Sequence, residues 1–432
     1  MHRRVFLKGG AMSLLTLGLS PSFLRRTALA MDLPRAARGK TLIVLFQRGA
    51  ADALNVLVPF GDRDYYAARP QLAIGSPARP NGALGAIDLD GFFGLHPSLT
   101  GFKTLWDRGL LAPIQAVGSP SATRSHFDAQ DYMETGTPDR KGTPDGWLNR
   151  YLAVKGTCES CAPGTDGIAG SPFRAVAMAA QTPRILEGAS PVVAMNAIEE
   201  FSIRTNGGDA QQRLEALYRT GRSDVVHGSG RDMFEALKVL KAANPLQYRP
   251  ANGAQYPRSP FGQRLQQIAQ LIKAGVGLEV AFADVGGWDT HVNQGAAQGQ
   301  LANRLRDFSD SVTSLVADLG DRMDDVLILT CSEFGRTVRQ NGTGGTDHGH
   351  AGAMFVIGGS VHGRKVHGTW PGLAREQLYE GRDLALTTDF RAVFAEVTAR
   401  HLGLTDTSAV FPGYRGGNGG SGGGDGWLGV LR

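Results

Sequence analysis

The hydrophobic positions of the chain form seven short, continuous runs, separated by stretches in which apolar residues recur at helical spacing. Continuous runs are typical of strands in a parallel sheet that is covered on both faces. Apolar stripes at 301–319 and 261–272 end at Gly320 and Gly275, as helices commonly do. The order of elements predicts an α/β fold, a doubly wound, mostly parallel sheet with helices on both faces. The predicted strands are residues 41–46, 112–117, 175–178, 191–195, 278–282, 326–330 and 354–357.

Two segments depart from this pattern. Residues 200–260 contain short helical patterns joined by Gly- and Pro-rich pieces, which predicts a helical insertion over the sheet. Residues 416–432 form a C-terminal tail that begins with a glycine-rich stretch typical of a flexible linker. The apolar residues near its end, Trp427–Leu431, either dock on the domain or stay loose. The main α/β domain is therefore predicted to span residues 31–415.

The first thirty residues are typical of an export signal. Residues 2–8 contain Arg3-Arg4 and closely match the twin-arginine motif, and a mildly apolar stretch leads to an Ala28-Leu29-Ala30 cleavage site. An uncleaved anchor is the alternative, but the stretch is shorter than the roughly 20 apolar residues that span a bilayer. We therefore expect a cleaved signal peptide over residues 1–30, passage through the twin-arginine translocase, and a periplasmic or secreted protein without a stable membrane span.

The net charge of +5 in 432 residues comes from this signal, which has five basic residues and no acidic one. Without it, the 45 lysines and arginines fall to 40, equal to the 40 acidic residues, so nothing indicates nucleic-acid binding. Three cysteines exclude a disulfide-built scaffold. A local disulfide between Cys158 and Cys161 is favoured over a zinc or redox site, and Cys331 is expected to be a buried thiol.

Polar side chains cluster where the predicted strands end. Four of the ten histidines lie in such segments, each of which also carries a carboxylate. Ligands of open α/β sheets bind beyond the carboxyl ends of the strands, so we expect these loops to converge on a divalent metal site. Imidazole favours Zn²⁺ or Mn²⁺ over Ca²⁺. The alternative is a set of polar loops that cap helices and turns. The four histidines are His126, His291, His348 and His350.

Five segments carry a resemblance to a known family: Arg48–Asp52, Arg124–Phe127, Gly287–His291, Ser332–Arg336 and Asp347–His350. Their order resembles the exported bacterial family known as domain of unknown function 1501, which is allied to the alkaline phosphatase/sulfatase superfamily. The resemblance implies an alkaline phosphatase-like fold, ester hydrolysis and a divalent metal cofactor.

The resemblance also implies a nucleophile. In the superfamily, the nucleophile opens a helix that a Thr-Gly pair closes ten residues later, and Ser125 precedes Thr135-Gly136 at that spacing. Ser125 would then attack the ester at a helix N-terminus, which favours an anion, with Arg124 and His126 as further catalytic residues. The alternative is that Ser125 only caps the helix.

Metal ligands are implied in the same way. Gln47 and Phe334 stand where the superfamily has metal-binding residues, so the site departs from the two-metal pattern. An arginine, Arg48, Arg124 or Arg336, could clamp an anionic ester. The implied ligands are Asp52, Asp289, His291, Glu333, Asp347, His348 and His350.

Two functions follow from these observations. The first is an exported metal-dependent hydrolase of phosphate or sulfate esters, acting on a small molecule or a glycan. The second is a catalytically degenerate relative that binds an anion, a glycan or a protein. The residues after Ser125 lack the Pro and Arg of modified-cysteine sulfatases, so a sulfatase of that kind is not expected. Metal content distinguishes the two functions.

Overall fold

The computed structural model describes residues 39–77, 84–156, 171–198, 240, 248–404, 406–416 and 427–432. The predicted signal peptide, most of the predicted helical insertion, and both Cys158 and Cys161 lie outside the described residues. Within the described ranges, no helix has both the length and the apolar character that a membrane span requires.

One large sheet and one small sheet make up the β-structure of the described residues. The strands are β1 (Thr41–Gln47), β2 (Leu57–Val58), β3 (Ile87–Asp88), β4 (Gly94–Leu95), β5 (Leu111–Gly118), β6 (Ala175–Ala177), β7 (Val193–Ala194), β8 (Val280–Val285), β9 (Val326–Cys331), β10 (Gly352–Gly358) and β11 (Thr388–Asp389). The large sheet has the order β11-β5-β10-β9-β1-β8-β6-β7. Seven of its strands run in one direction, and β10 is antiparallel to both neighbours. It contains all seven predicted strands, so the predicted α/β class is confirmed.

Helices cover both faces of this sheet, as predicted. They are α1 (Ala53–Val56), α2 (Arg63–Ala68), α3 (Thr100–Asp107), α4 (His126–Thr135), α5 (Trp147–Gly156), α6 (Pro260–Ala274), α7 (Gln300–Leu319) and α8 (Phe390–Glu396). Side chains of β1 alternate between the faces. Ile43 and Leu45 pack in the core formed with α3, α6 and α7, whereas Leu42, Val44 and Phe46 pack with α4, α5 and α8.

The direction of β10 determines which loops meet. Strands β1, β8 and β9 are parallel and finish at one edge of the sheet, near Gln47, Val285 and Cys331. Because β10 is antiparallel to β9, it begins at this same edge. Residues that precede β10 therefore lie beside residues that follow the other three strands.

The end of the chain docks on the domain, which resolves the alternative left open by the sequence. Val430 and Leu431 are buried in the core on the α8 side of the sheet. The carboxylate of Glu396, at the end of α8, accepts backbone N–H groups from Gly429 at 3.0 Å and from Leu431 at 2.7 Å. These contacts anchor the tail beyond its glycine-rich part.

Candidate metal centre

Three histidine rings meet at the edge of the sheet where β1, β8 and β9 end. His126 begins α4, His291 lies in the loop after β8, and His348 precedes β10. The Nε2 atom of His348 is 3.0 Å from Nε2 of His126 and 2.9 Å from Nε2 of His291. The structure therefore brings together three of the four histidines that the sequence singled out.

The other nitrogen of each ring faces an acceptor. A carboxylate or carbonyl oxygen can only accept, so each Nδ1 carries a proton, and each Nε2 faces the centre, where Asp289 offers a further acceptor. The pairs are His126 Nδ1 with Glu333 Oε1 at 2.8 Å, His291 Nδ1 with Asp347 Oδ1 at 2.9 Å, and His348 Nδ1 with the carbonyl oxygen of Arg124 at 2.9 Å.

Where neutral rings direct their Nε2 lone pairs at one another across such distances, the lone pairs repel, so the centre needs a cation or a shared proton. The hydrogen bond to Glu333 raises the pKa of His126, whereas burial lowers the pKa of His348. A protonated His126 can therefore donate to His348 when no metal is bound. A divalent cation would take the place of that proton.

Asp289 brings a carboxylate to the same centre. Its Oδ1 is 2.9 Å from His291 Nε2 and 3.2 Å from His348 Nε2. Burial opposes ionisation of this group, but Arg336 and the neighbouring histidines outweigh burial and lower the pKa of Asp289. The candidate ligand atoms of His126, Asp289 and His348 all lie within 4.8 Å of one another.

Arg336 is a buried cation next to these groups. Its Nη1 is 2.8 Å from Asp289 Oδ1, and its side chain is 0% exposed. None of its three guanidinium nitrogens has a hydrogen bond of good geometry to the described residues. Asp289 is therefore shared between an arginine and three imidazoles.

Glu333, which the sequence suggested as a metal ligand, holds a histidine instead. Besides His126, its Oε1 accepts from the backbone N–H of Gly49 at 2.8 Å and from Gln130 Nε2 at 2.9 Å, and its Oε2 accepts from the Ser332 hydroxyl at 3.0 Å. Burial opposes ionisation, but these hydrogen bonds lower the pKa of Glu333. Both carboxylate oxygens of Glu333 accept hydrogen bonds from protein donors. Glu333 therefore orients His126 and fixes its tautomer.

Sequence reasoning missed Gln130. This residue lies four positions after His126 on α4, a spacing that places both on one helix face. Its Oε1 accepts from Arg48 Nη1 at 2.9 Å, which leaves its Nε2 to donate to Glu333. The i, i+4 relation to a candidate histidine was the signal that could have found it.

Close backbone packing brings the loop after β1 against the centre. Gly49 has a φ of +115°, and a Cβ at this position would lie 2.7 Å from the backbone nitrogen of Asp289. Glycine is therefore required there.

The ring of Phe334 packs against the imidazoles of His126 and His348. Its ring stacks on His126 at a centroid distance of 5.0 Å and an angle of 28°, and it lies 5.1 Å from the ring of His348. The residue that replaces an expected ligand thus orients two of the histidines.

Asp347 also supports a histidine, where the sequence suggested a ligand. Its Oδ1 faces His291 Nδ1 and also accepts from Asn341 Nδ2 at 3.1 Å. These hydrogen bonds lower the pKa of Asp347. Carboxylate support of this kind is typical of metal-binding histidines.

Asp52 and His350, both suggested as ligands, do not join the centre. Asp52 is completely buried and pairs with Arg69 at 2.6 Å, because that guanidinium lies inside the domain with no other acid beside it in the described contacts. His350 stacks on Tyr379, with ring centroids 4.1 Å apart, and burial lowers its pKa.

The arginines suggested as anion clamps are mostly engaged elsewhere. Arg124 donates to Asp383 and to Glu380 at 2.7 Å each, and Arg48 binds Glu134 at 2.8 Å and Asp284 at 2.7 Å. Arg336 differs from both, because its only described ion pair is with Asp289.

Ser125 is the N-cap of α4. Its hydroxyl accepts a hydrogen bond of 3.5 Å from the backbone N–H of Asp128, and the helix ends at Gly136 in the left-handed conformation. The side chain is exposed and stands between Arg124, whose carbonyl holds His348, and His126. The capping interpretation is thus observed, and the nucleophile role stays a prediction.

The donor set fits a divalent cation. Ligand atoms about 2.0–2.2 Å from a tetrahedral Zn²⁺ lie roughly 3.3–3.6 Å from one another. Five contacts among His126, Asp289, His291 and His348 fall between 2.9 and 3.5 Å, four of them shorter than this spacing. The group whose ligand atoms all lie within 4.8 Å of one another is His126, Asp289 and His348, and His291 adjoins it through His348 and Asp289. Each imidazole is oriented from behind by an acceptor, as metal-binding histidines usually are.

These features define a doubly wound α/β protein with an imidazole and carboxylate centre at the carboxyl edge of its sheet. Residues 112–413 match the family described as "Protein of unknown function (DUF1501)". This match covers more than half of the chain, so the chain belongs to the DUF1501 family, as its sequence resemblance predicted.

A solved structure gives a weaker similarity. The PsFucS1 sulfatase from Pseudoalteromonas sp. is 13% identical, with a TM-score of 0.35, over 89% of this chain and 72% of the sulfatase chain. At this TM-score the match carries no argument about superfamily or activity. No curated protein matches the chain significantly.

Proposed function

We propose that the protein is an exported, metal-dependent hydrolase of phosphate or sulfate esters. The observation that supports this proposal best is the convergence of three Nε2 atoms whose rings are all oriented through Nδ1. Metal-binding histidines usually have an acceptor behind the ring in this way, which supports a metal at this centre. Imidazole-rich donor sets favour Zn²⁺ or Mn²⁺ over Ca²⁺.

One divalent cation would be held by His126, Asp289, His291 and His348. When bound, it would polarise an ester oxygen and stabilise developing negative charge. Glu333 and Asp347 keep the ligand histidines in the metal-binding tautomer. Because Asp52 and Glu333 are engaged by the protein, the centre is proposed to hold one ion.

Ser125 is the proposed nucleophile. Its exposed hydroxyl lies at the N-terminus of α4, where free N–H groups and the helix dipole favour an anionic ester. Attack would form a bond from Oγ to phosphorus or sulfur and break the bond to the leaving oxygen. The hydroxyl proton would pass to solvent, and the leaving oxygen would take a proton from solvent and depart as the alcohol. Water would then release the acid and restore the serine.

Charge near the centre favours an anionic substrate. Arg336 is a second cation beside the proposed metal, and Asp289 is the carboxylate that both would share. A loaded centre would therefore attract the oxygens of a phosphate or sulfate group. A small-molecule ester and a glycan ester both satisfy this requirement.

Binding without turnover is the competing function. It is supported by Phe334, which occupies an expected ligand position, and by Ser125, whose hydroxyl caps a helix. On this alternative the site would hold an anion, a glycan or a protein without turnover.

Metal content and turnover together test the proposal. Purified mature protein is titrated with Zn²⁺ and Mn²⁺ and assayed on a panel of phosphate and sulfate esters. His348→Ala should abolish metal binding and turnover. The matched control is His350→Ala, which removes an imidazole two positions away that stacks on Tyr379. Tight metal binding with turnover would support the hydrolase. Tight metal binding without turnover, or absence of metal binding even after reconstitution, would refute the hydrolase and favour the binder.

Export is proposed from the first thirty residues of the sequence alone. Replacing Arg3 and Arg4 by lysine should leave the precursor inside the cell if the twin-arginine translocase is used. Normal arrival of the double variant in the periplasm would contradict this route.

A further inference from the structure

Large apolar side chains are exposed at three positions among the described residues. Phe127 is 90% exposed, Leu84 54% and Val292 51%. Phe127 directly follows His126, and Val292 directly follows His291. Two of the three therefore adjoin histidines of the candidate centre.

Phe127 and Val292 each follow a histidine of the same candidate centre. His126 and His291 each place Nε2 within 3.0 Å of the same atom, Nε2 of His348. Neighbouring Cα atoms in a chain are about 3.8 Å apart, so Phe127 and Val292 begin close to the two rings.

Both side chains rise from fixed backbone. Phe127 lies in the first turn of α4, which Ser125 caps. Next to Val292, the carbonyl oxygen of His291 accepts from Asn341 Nδ2 at 2.9 Å and from Thr343 Oγ1 at 2.7 Å. The exposure therefore occurs in segments whose backbone is held by hydrogen bonds.

Exposed apolar surface next to a charged centre suits a ligand that has both an apolar group and an anionic head. Water disfavours an exposed phenyl ring, and single exposed residues scattered on a surface need no explanation. Here they adjoin two ligand histidines of one centre. A ring or alkyl group docked at this position would cover them while an anionic head reached the histidines.

We propose that Phe127 and Val292 form an apolar rim that binds the organic part of the substrate. The substrate class is a phosphate or sulfate monoester whose organic group is a ring with an apolar face, such as an arylalkyl group or the CH face of a sugar. This inference rests on the proposed function, because the ester head is what brings the ring to the rim.

Non-hydrolysable analogues test the rim without turnover. Methylphosphonate and 2-phenylethylphosphonate are compared, with the matching pair of sulfonates, by calorimetry on Zn²⁺-loaded protein. Wild type should bind the ring-bearing member of a pair more tightly. Phe127→Ala should lower that preference by roughly 3- to 10-fold, the range expected for loss of one aromatic contact, and leave affinity for the methyl member unchanged.

Two variants complete the test. Phe127→Trp should keep the preference for the ring, since an aromatic face is retained. Leu84→Ala is the matched control, because it removes an exposed apolar side chain that adjoins none of the centre's histidines.

The outcomes separate the rim from the proposed function. Equal binding of both members of a pair by wild type would overturn the rim and leave the hydrolase intact. If loaded protein binds metal but neither pair, the proposed function fails and the rim falls with it. If Phe127→Ala leaves the preference unchanged but reduces self-association in sedimentation, Phe127 belongs to a protein contact and the rim is refuted.

Discussion

Two buried arginines in this fold, each paired with an aspartate, use their hydrogen-bond donors in opposite ways. In the Arg69–Asp52 pair, every guanidinium nitrogen donates: Nε to Val338 O, Nη1 to Asp52 and Asn55, and Nη2 to Thr337 O. In the Arg336–Asp289 pair, the guanidinium has an ion pair without further hydrogen bonds to the described residues. Both arginines are fully buried, so burial alone does not distinguish them.

The difference lies in what the aspartates face. Asp52 is 0% exposed, and its Oδ2 also accepts from Gln294 at 2.6 Å, whereas its Oδ1 has no hydrogen-bond partner among the described residues. The side chain of Asp289 is 43% exposed and faces imidazoles that converge on it. The first pair is closed and structural, whereas the second is open on the side where a ligand would bind. The two pairs contain the same residue types, so exposure of the aspartate and convergence of imidazoles on it distinguish the candidate site from the structural pair.

The largest expected effect on stability comes from removing the cation of the Arg69–Asp52 pair. Arg69→Met leaves the Asp52 carboxylate buried without its cation, so the free energy of unfolding should fall by about 3–5 kcal/mol. Arg336→Met should cost much less, because Asp289 can be solvated. Urea denaturation of both variants measures the contrast. Equal losses for the two variants would show that the open pair is structural as well.

His401 is a buried histidine outside the candidate centre, and it provides a comparison for the histidines of the centre. His401 is buried, its Nε2 lies 3.0 Å from the carbonyl oxygen of Thr41, and burial lowers its pKa to about 4. Between pH 6.5 and 4 the unfolded chain binds a proton there and the folded protein does not. Stability from this residue is therefore complete above pH 6.5 and is lost as the pH falls, by about 3 kcal/mol in total.

The His401→Gln variant should not lose this stability as the pH falls. The difference in unfolding free energy between wild type and variant should thus change by about 3 kcal/mol between pH 7 and pH 4, in favour of the variant at low pH. Urea titrations at a series of pH values measure it. A constant difference across this range would contradict the lowered pKa.

Loss of the carboxylate that orients His126 should weaken metal binding at the candidate centre. Glu333→Gln removes the charge that holds His126, so metal affinity should fall roughly 10- to 100-fold. Competition with a chromophoric chelator measures the change. The control is Glu134→Gln, which neutralises another buried carboxylate, one that pairs with Arg48. Equal losses in both variants would assign the effect to the general field of the site and not to His126.

The smallest expected effect concerns the helix cap. Ser125→Ala should lower the unfolding free energy by about 1 kcal/mol and leave metal affinity unchanged. Turnover should disappear if Ser125 is the nucleophile. Ser259→Ala is the matched control, because Ser259 caps α6 through the N–H of Gly262 at 3.1 Å. Full activity in Ser125→Ala would refute the nucleophile role.

Much of the fold could be predicted because its strands are buried on both faces. The runs at 41–46 and 326–330 lie within β1 and β9 with every residue buried. Strand β11 and the small sheet of β2, β4 and β3 were not predicted, since strands of two residues leave little periodic signal. They depend on contacts that only the folded chain makes. Strand β7 is equally short and was predicted only from the longer run at 191–195.

The candidate site was predictable in part for a related reason. His126, Asp289, His291 and His348 adjoin strand or helix ends, and the topology brings those ends together. The role of Asp52 was not predictable, because its partner Arg69 is seventeen positions away and is selected by packing. Whether a carboxylate binds metal or holds a histidine depends on distances of a few ångströms, which spacing along the chain does not encode.

The reversed direction of β10 has a consequence for the order of folding. It brings His348 to a histidine 222 positions earlier in the chain, so the centre depends on contacts of very high sequence separation. Such contacts close late, after most of the entropy of the chain has been lost. A metal ion would find its full set of ligands only in the assembled domain. Metal should therefore slow unfolding while leaving the folding rate almost unchanged.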